Sequence, residues 1–172
     1  MYNIELKYTS FNEFVKCIKM LLDLKGIDYK IEKQESYCSN SMDGTGFMLI
    51  WNGQKMQQPV SCARMIVRET STHDDVIDNF MEAEVDEIVE MINTVFMMKI
   101  NNANGFHVEA LMYHTLGYLE SKLSWHTNSS IVGDNWTLAD IFTHVFLGGI
   151  EKDVLENYPN LNLYLKSNSI GT

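Results

Sequence analysis

The stretch that decides the fold lies late in the chain: Ser130-Ile131-Val132-Gly133-Asp134-Asn135-Trp136-Thr137-Leu138-Ala139-Asp140-Ile141. Thr137 and Asp140 have the spacing of a helix capping box, in which a hydroxyl and a carboxylate each accept a backbone N–H at the helix start. Trp136 and Ile141 have the spacing of a hydrophobic staple, and the Gly-Asp-Asn ahead of them is typical of a turn. The pattern predicts an apolar, buried helix that starts here at a fixed angle.

The composition is that of a globular protein with a real core. The chain has 172 residues, of which 45% are hydrophobic, and a formal net charge of −10. This negative charge argues against nucleic acid and anionic membrane surfaces as partners. No apolar run approaches the ~18 residues that a membrane span needs. The cysteines, Cys17, Cys38 and Cys62, are odd in number and widely spaced, which favours a reducing compartment and a cytoplasmic location.

The first part of the chain alternates strand and helix patterns. Ile4, Leu6 and Tyr8 alternate with polar residues, which predicts a strand with one buried face. A helix pattern follows, with Thr9-Ser10 as its expected N-cap and Gly26 at its C-terminal end. The order of patterns is β-α-β and then β-β-α, a thioredoxin-like arrangement with parallel pairing in its βαβ unit. The remaining predicted elements are strands at 29–32, 47–51 and 54–57, a hairpin turn at Asn52-Gly53 and a helix over 59–68.

The second part of the chain has only helical patterns. Residues 70–75 are polar and form the predicted linker between domains at 1–70 and 77–172. Four helical regions are expected in the second domain, and Pro159 marks either the end of a helix or the start of one. These regions are 76–98, 106–125, 137–148 and 151–166.

A thioredoxin-like domain followed by an all-helical domain resembles the architecture of the glutathione S-transferases. Within that family the chain is most similar to the sigma class, which includes the haematopoietic type of prostaglandin D synthase. The resemblance implies an α/β plus all-α fold: a thioredoxin-like N-terminal domain and a helical C-terminal domain. The segments that carry it are Leu6-Lys7-Tyr8, Asn52-Gly53 through Gln58 with Ala63-Arg64, Val85-Asp86-Glu87-Ile88-Val89, Val132-Gly133 through Asp140, and Leu155 through Leu161.

The resemblance also implies a catalytic residue and a set of glutathione-binding residues. Tyr8 occupies the place of the tyrosine that donates a hydrogen bond to the glutathione sulfur and stabilises the nucleophilic thiolate. The alternative for Tyr8 is a strand tyrosine that only packs. Gln58, Asp86 and Met48 are the expected glutathione contacts, with Asp86 reaching the amino group of glutathione bound to the partner subunit. The alternative for Asp86 is a solvated carboxylate on an acidic helix.

The chain departs from the family pattern at three places. Pro59 stands where the family has a serine whose hydroxyl and N–H bind the γ-glutamyl carboxylate, and proline has neither group. Phe47 stands where the family has a cis-proline, and the residue ahead of that proline, here Gly46, presents the backbone groups that pair with the cysteinyl part of glutathione. Because Phe47 is not proline, its peptide bond is expected to be trans, which would turn these backbone groups elsewhere. Glu13 lies in the stretch where the family has a basic residue. The sequence therefore predicts a divergent glutathione site, which the double change Phe47→Pro and Pro59→Ser is expected to restore in part.

Other chemistries find no support in the sequence. The five histidines form no ligand spacing with cysteine or with each other, so no metal site is predicted. No cysteine follows the first strand at a nucleophile position, which argues against the cysteine-type transferases. The helical histidines and cysteines are interpreted as packing residues.

Two functional hypotheses remain open. The first is a divergent glutathione S-transferase-like protein with weak or lost glutathione-dependent activity that serves as a dimeric binding module. The second is an active sigma-like transferase, or a glutathione-dependent isomerase of the prostaglandin D synthase type. It would use glutathione as co-substrate, Tyr8 as catalytic residue and a small apolar electrophile. The family resemblance implies a homodimer, and the apolar content of 88–98 exceeds what one helix stripe needs.

Overall fold

The computed structural model describes residues 2–35, 45–71, 79–101, 104–125 and 130–168. The chain divides into two compact units, Met1–Val76 and Ile77–Thr172. The elements of the first unit are β1 (Ile4–Tyr8), α1 (Glu13–Leu24), β2 (Lys30–Lys33), β3 (Phe47–Trp51), β4 (Gln54–Met56) and α2 (Pro59–Thr70). Those of the second unit are α3 (Asn79–Ile100), α4 (Gly105–Trp125), α5 (Leu138–Leu147), α6 (Lys152–Leu155) and α7 (Pro159–Ser167).

The first unit contains a four-stranded mixed sheet in the order β2-β1-β3-β4. β1 pairs with β2 in parallel through the α1 crossover, whereas β3 runs antiparallel to both β1 and β4. Asn52 and Gly53 both have positive φ, of 49° and 84°, as a type I′ hairpin turn between β3 and β4 requires. The predicted βαβ unit and hairpin are therefore confirmed.

The two ends of α1 are fixed by local hydrogen bonds. At its C-terminal end the N–H groups of Gly26 and Ile27 bond the carbonyls of Asp23 and Leu22, and Gly26 has a φ of 62°. This is the Schellman arrangement that a glycine after a helix favours. At the other end the prediction was wrong: the N-cap is Asn12, whose Oδ1 accepts from the Val15 N–H, and not Thr9-Ser10.

The core of the first unit combines both helices with the two inner strands. α1 and α2 pack against each other. Their buried side chains, together with those of β1 and β3, form one apolar set: Ile4, Leu6, Phe14, Val15, Cys17, Ile18, Leu21, Leu22, Phe47, Leu49, Cys62, Ala63 and Ile66. Cys17 and Cys62 are buried in this core, as predicted, whereas Cys38 lies outside the described residues.

The second unit is helical throughout the residues that the structure describes. α3 packs against α4 and α5, and α4 packs against α7. Phe96 of α3 lies between Phe142 and Phe146 of α5, with both pairs of ring centroids 6.5 Å apart. The predicted last helical region is two helices, and Pro159 begins the second of them. The predicted fold class, a thioredoxin-like α/β unit followed by a helical one, is confirmed.

The capping box at the start of α5 is formed. The Thr137 hydroxyl accepts from the Ala139 N–H at 3.2 Å, and the Asp140 carboxylate accepts from the Thr137 N–H at 2.8 Å. α5 is almost entirely buried, which agrees with the prediction that it belongs to the core. A search of the described residues finds no helix that is both long enough and apolar enough to cross a membrane.

Candidate active site

Tyr8 is the last residue of β1 and lies on the same face as Ile4 and Leu6. Ile4 and Leu6 are buried, while Tyr8 is half-buried at the end of the strand. Its ring packs edge-to-face against Phe11, with centroids 5.5 Å apart. Within the described parts of the chain its hydroxyl has no hydrogen-bond partner. The geometry therefore holds the ring in place and leaves the hydroxyl able to donate to a ligand.

Met48 lies on the opposite face of the sheet from Tyr8. Across the antiparallel pair of β1 and β3, Tyr8 lies opposite Phe47 and Lys7 lies opposite Met48. Paired residues share a face and successive residues alternate between faces. The Met48 side chain is also almost fully buried. The structure therefore does not bring this side chain to the face of the sheet that carries Tyr8.

Lys7 is held by two carboxylates on the face opposite to Tyr8. Its Nζ lies 3.2 Å from a Glu32 oxygen and 3.1 Å from a Glu5 oxygen. Hydrogen bonds to Glu32 and then to Glu5 raise the pKa of Lys7. Because Lys7 points away from Tyr8, it does not replace the basic residue that the family has after the tyrosine.

The segment just before β3 is bound by the loop between β1 and α1. The Thr9 N–H donates to the Gly46 carbonyl at 2.9 Å, and the Thr9 hydroxyl donates to the same oxygen at 3.4 Å. The Asn12 side-chain amide donates to the Thr45 carbonyl at 2.8 Å. We call these four residues and their three hydrogen bonds the Gly46 contact. No cis peptide bond occurs among the described residues, so the Gly46–Phe47 bond is trans, as predicted.

The start of α2 offers fewer donors than a usual helix N-terminus. Gln58 is the N-cap residue, is exposed, and makes no side-chain capping hydrogen bond. Pro59 follows at the first helical position, where its fixed φ suits the helix but its missing N–H removes one of the free donors. Pro59 is buried, so it contributes packing to α2. The position keeps its structural role and has no group that can bind a carboxylate.

Asp86 lies in α3 of the second unit, while the other three predicted site residues lie in the first. It is half-buried and has a polar partner. Its neighbours on α3 are tied to α4: Glu84 forms an ion pair with Lys122, and Glu87 accepts from the Tyr118 hydroxyl at 2.8 Å. Lys122 also lies over the Tyr118 ring, 5.4 Å from its centroid. This stretch of α3 therefore has a packing role that is independent of any ligand.

Sequence reasoning missed all four members of the Gly46 contact: Thr9, Asn12, Thr45 and Gly46. The only local signal was Asn12 before Glu13, a combination typical of a helix start. No group of three metal-ligating side chains occurs in the ranges that the structure describes. His73 and His126 lie outside those ranges.

The comparisons with known proteins agree on the fold. The chain matches no protein-family model and no curated protein sequence. It is similar to solved structures of glutathione S-transferases. One of them is isozyme E7 from Drosophila melanogaster, which is 14% identical to this chain and superposes with a TM-score of 0.78. That match covers 97% of this chain and 86% of the Drosophila chain. A monomeric glutathione S-transferase from the hookworm Necator americanus, Na-GST-3, gives a TM-score of 0.73 at 18% identity over 96% of this chain and 90% of that one.

A third similar structure contains glutathione. It is a maleylacetoacetate isomerase from Anaeromyxobacter dehalogenans that has glutathione bound in its active site. It is 17% identical to this chain, with a TM-score of 0.71, and the match covers 96% of this chain and 90% of that one. The fold of this chain is therefore that of the glutathione S-transferases. Among the residues that the sequence pointed to, Tyr8 has a hydroxyl that can donate a hydrogen bond, whereas Pro59 has neither a hydroxyl nor an N–H to offer a carboxylate.

Proposed function

We propose that this protein is a divergent glutathione S-transferase-like protein with weak or lost glutathione-dependent activity, and that it serves as a dimeric binding module. The single observation that carries the proposal is the Gly46 carbonyl, which already accepts two hydrogen bonds from Thr9. The Thr9 N–H at 2.9 Å makes a bond of ordinary length to this oxygen, and the Thr9 hydroxyl at 3.4 Å adds a longer and weaker one, so a ligand would have to compete with Thr9 for the same acceptor. Pro59 adds a second loss at the start of α2.

The expected consequence is a large loss of affinity for glutathione. A hydrogen bond to a charged group, such as the γ-glutamyl carboxylate, contributes about 1.5–3 kcal/mol. A neutral backbone bond contributes about 0.5–1.5 kcal/mol. At about 1.4 kcal/mol per factor of ten, the two losses together correspond to roughly thirtyfold to a thousandfold weaker binding.

Calorimetric titration of the purified protein with reduced glutathione tests this proposal. We expect no heat of binding at micromolar glutathione and slow conjugation of standard electrophiles. The Pro59→Ser variant is the matched comparison, because it adds back a hydroxyl and an N–H at the same helix position. Micromolar binding by the wild type would contradict the proposal.

The second candidate function is an active sigma-like transferase or glutathione-dependent isomerase. The observation that favours it is the state of Tyr8. Its ring packs against Phe11, while its hydroxyl has no hydrogen-bond partner among the described residues. Tyr8→Phe removes only this hydroxyl and leaves the ring packing in place. If the second candidate is right, Tyr8→Phe lowers kcat strongly and leaves the ring contact with Phe11 unchanged. If the first is right, the variant and the wild type share the same low background rate.

We further propose a homodimer in the cytoplasm. The exposed aromatic side chains of the second unit, Phe80, Phe106 and Tyr113, support an interface on that unit. Cys17 and Cys62 are buried and are not joined to each other in a disulfide, which supports a reducing compartment. Light scattering at micromolar concentration tests the assembly, and a monomer mass, as in the Necator americanus protein described as monomeric, would count against the dimer.

A further inference from the structure

The Gly46 contact is built from two successive backbone carbonyls and one loop. The loop after β1 bonds the Gly46 carbonyl through Thr9 and the Thr45 carbonyl through Asn12. Thr45 is only 1% exposed, so the segment is covered at this point. Two neighbouring carbonyls at the entrance to β3 are thus satisfied from within the protein.

The close approach of the Thr9 hydroxyl to residue 46 depends on a glycine at that position. Its φ of 62° lies in the left-handed region, which L side chains rarely adopt. A Cβ added at this position would overlap the Thr9 hydroxyl oxygen. A larger residue at 46 would therefore be strained in this conformation and would displace the Thr9 hydroxyl from its present position.

Asn12 links the contact to the start of α1. Its Oδ1 accepts from the Val15 N–H at 3.1 Å as the helix N-cap, while its Nδ2 donates to the Thr45 carbonyl at 2.8 Å. The amide is thus fixed at both ends. The same side chain therefore couples the start of α1 to residue 45.

We infer that the loop after β1 is an internal occupant of the backbone position at which this fold pairs with the peptide of glutathione. This inference rests on the proposed function and explains it: Thr9 makes the hydrogen bond that the ligand would make. The contact excludes ligands that need main-chain pairing at residue 46. It leaves the Tyr8 hydroxyl available to ligands that do not need such pairing.

Amide hydrogen exchange of the wild-type protein is the first test. We expect the Thr9 amide to be protected in the free protein and to stay protected in millimolar reduced glutathione, since its bond to Gly46 does not open for the ligand. A Thr9 amide that exchanges freely, or one that loses protection when glutathione is added, would overturn the inference. This test needs no variant and therefore does not depend on whether a variant folds.

A matched pair of variants is the second test, made in the Pro59→Ser background so that binding can be measured. Thr9→Pro removes both donors to Gly46, whereas Thr9→Val keeps the N–H and removes only the hydroxyl. We expect Thr9→Pro to bind glutathione about three- to tenfold more tightly than Thr9→Val. Equal affinities of the two folded variants would overturn the inference.

The outcomes also separate this inference from the proposed function. Wild-type protein that binds glutathione at micromolar concentration with the Thr9 amide still protected would refute the proposed loss of binding and leave the Gly46 contact standing. Tight binding together with loss of Thr9 protection would refute both. Urea midpoints of both variants confirm that each is folded under the conditions of the titration.

Discussion

Replacement of Asp140 by asparagine is expected to destabilise the protein more than the loss of an ordinary helix cap. The carboxylate is fully buried and accepts four hydrogen bonds. One oxygen accepts from the Ile131 N–H at 2.8 Å and from the Tyr164 hydroxyl at 3.0 Å. The other accepts from the N–H and the hydroxyl of Thr137, at 2.8 and 3.0 Å. Asp140 thereby ties the preceding turn, the start of α5, and α7 to one group.

The expected size of the effect follows from what asparagine can accept. Its side chain has the same shape, but its NH₂ group replaces one of the two oxygens and meets donors on that side. Each oxygen faces one hydroxyl, which can rotate to accept, and one backbone N–H, which cannot. In either orientation one backbone N–H, of Thr137 or of Ile131, is therefore left unpaired. A buried unpaired donor costs about 1–3 kcal/mol, and the replaced charge-assisted bonds contribute further. We expect Asp140→Asn to lower the free energy of unfolding by about 2–4 kcal/mol.

Urea denaturation followed by circular dichroism measures this change. Thr137→Ala is the matched comparison, because it removes the capping hydroxyl and keeps the carboxylate with its other donors. The loss of an N-cap side chain costs about 1 kcal/mol. The two variants are compared at an unchanged m-value, so that the midpoint reports stability alone. If Asp140→Asn proves no more destabilising than Thr137→Ala, the carboxylate is not the shared acceptor that the geometry indicates.

Three further predictions concern titration and capping in the second unit. Burial raises the pKa of Asp140 above 3.8, although its hydrogen bonds act in the opposite direction. The difference in free energy of unfolding between the wild type and Asp140→Asn should therefore decrease as the pH rises through the native pKa. Urea midpoints measured from about pH 4 to about pH 7 test this. Burial lowers the pKa of His144 below 6.5, so its ring should titrate in NMR spectra below that value, and its contribution to stability is lost as the pH falls through the native pKa. Glu120 accepts from the N–H groups of Asn160 and Leu161 at the start of α7, at 3.0 and 2.9 Å. Glu120→Ala should therefore lower the free energy of unfolding, measured by urea denaturation, by about 1–2 kcal/mol. A loss no larger than that for an exposed glutamate would contradict this capping role.

The features that the sequence predicted well are those set by a few neighbouring residues. The Asn52-Gly53 turn needs only positive φ at two adjacent positions, and the type I′ geometry follows. The capping box needs only Thr137 and Asp140 three residues apart. The sequence could not predict that the Asp140 carboxylate also accepts from Tyr164 of α7, because that bond joins residues 24 apart in the chain.

The start of α1 shows why the site was harder to predict than the fold. Thr9-Ser10 has the residue types of an N-cap, but the cap is Asn12. The Thr9 hydroxyl instead donates to the carbonyl of Gly46, a residue 37 positions away. A capping residue can bond either its own helix or a neighbouring segment, and local sequence does not decide between them. Only the pairing of β1 with β3 brings the competing carbonyl into reach.

The same coupling changes the expected route to a restored glutathione site. From the sequence alone we expected Phe47→Pro with Pro59→Ser to restore part of the site. Phe47, however, is 1% exposed, and removal of a buried phenylalanine side chain costs about 3–5 kcal/mol. A proline at 47 also pushes residue 46 towards extended backbone, whereas Gly46 sits at a φ of 62° with its carbonyl bound to Thr9. A proline at 47 is therefore expected to disturb the bond between the Thr9 N–H and the Gly46 carbonyl. We expect the double change to restore glutathione binding only when the loop after β1 is changed with it.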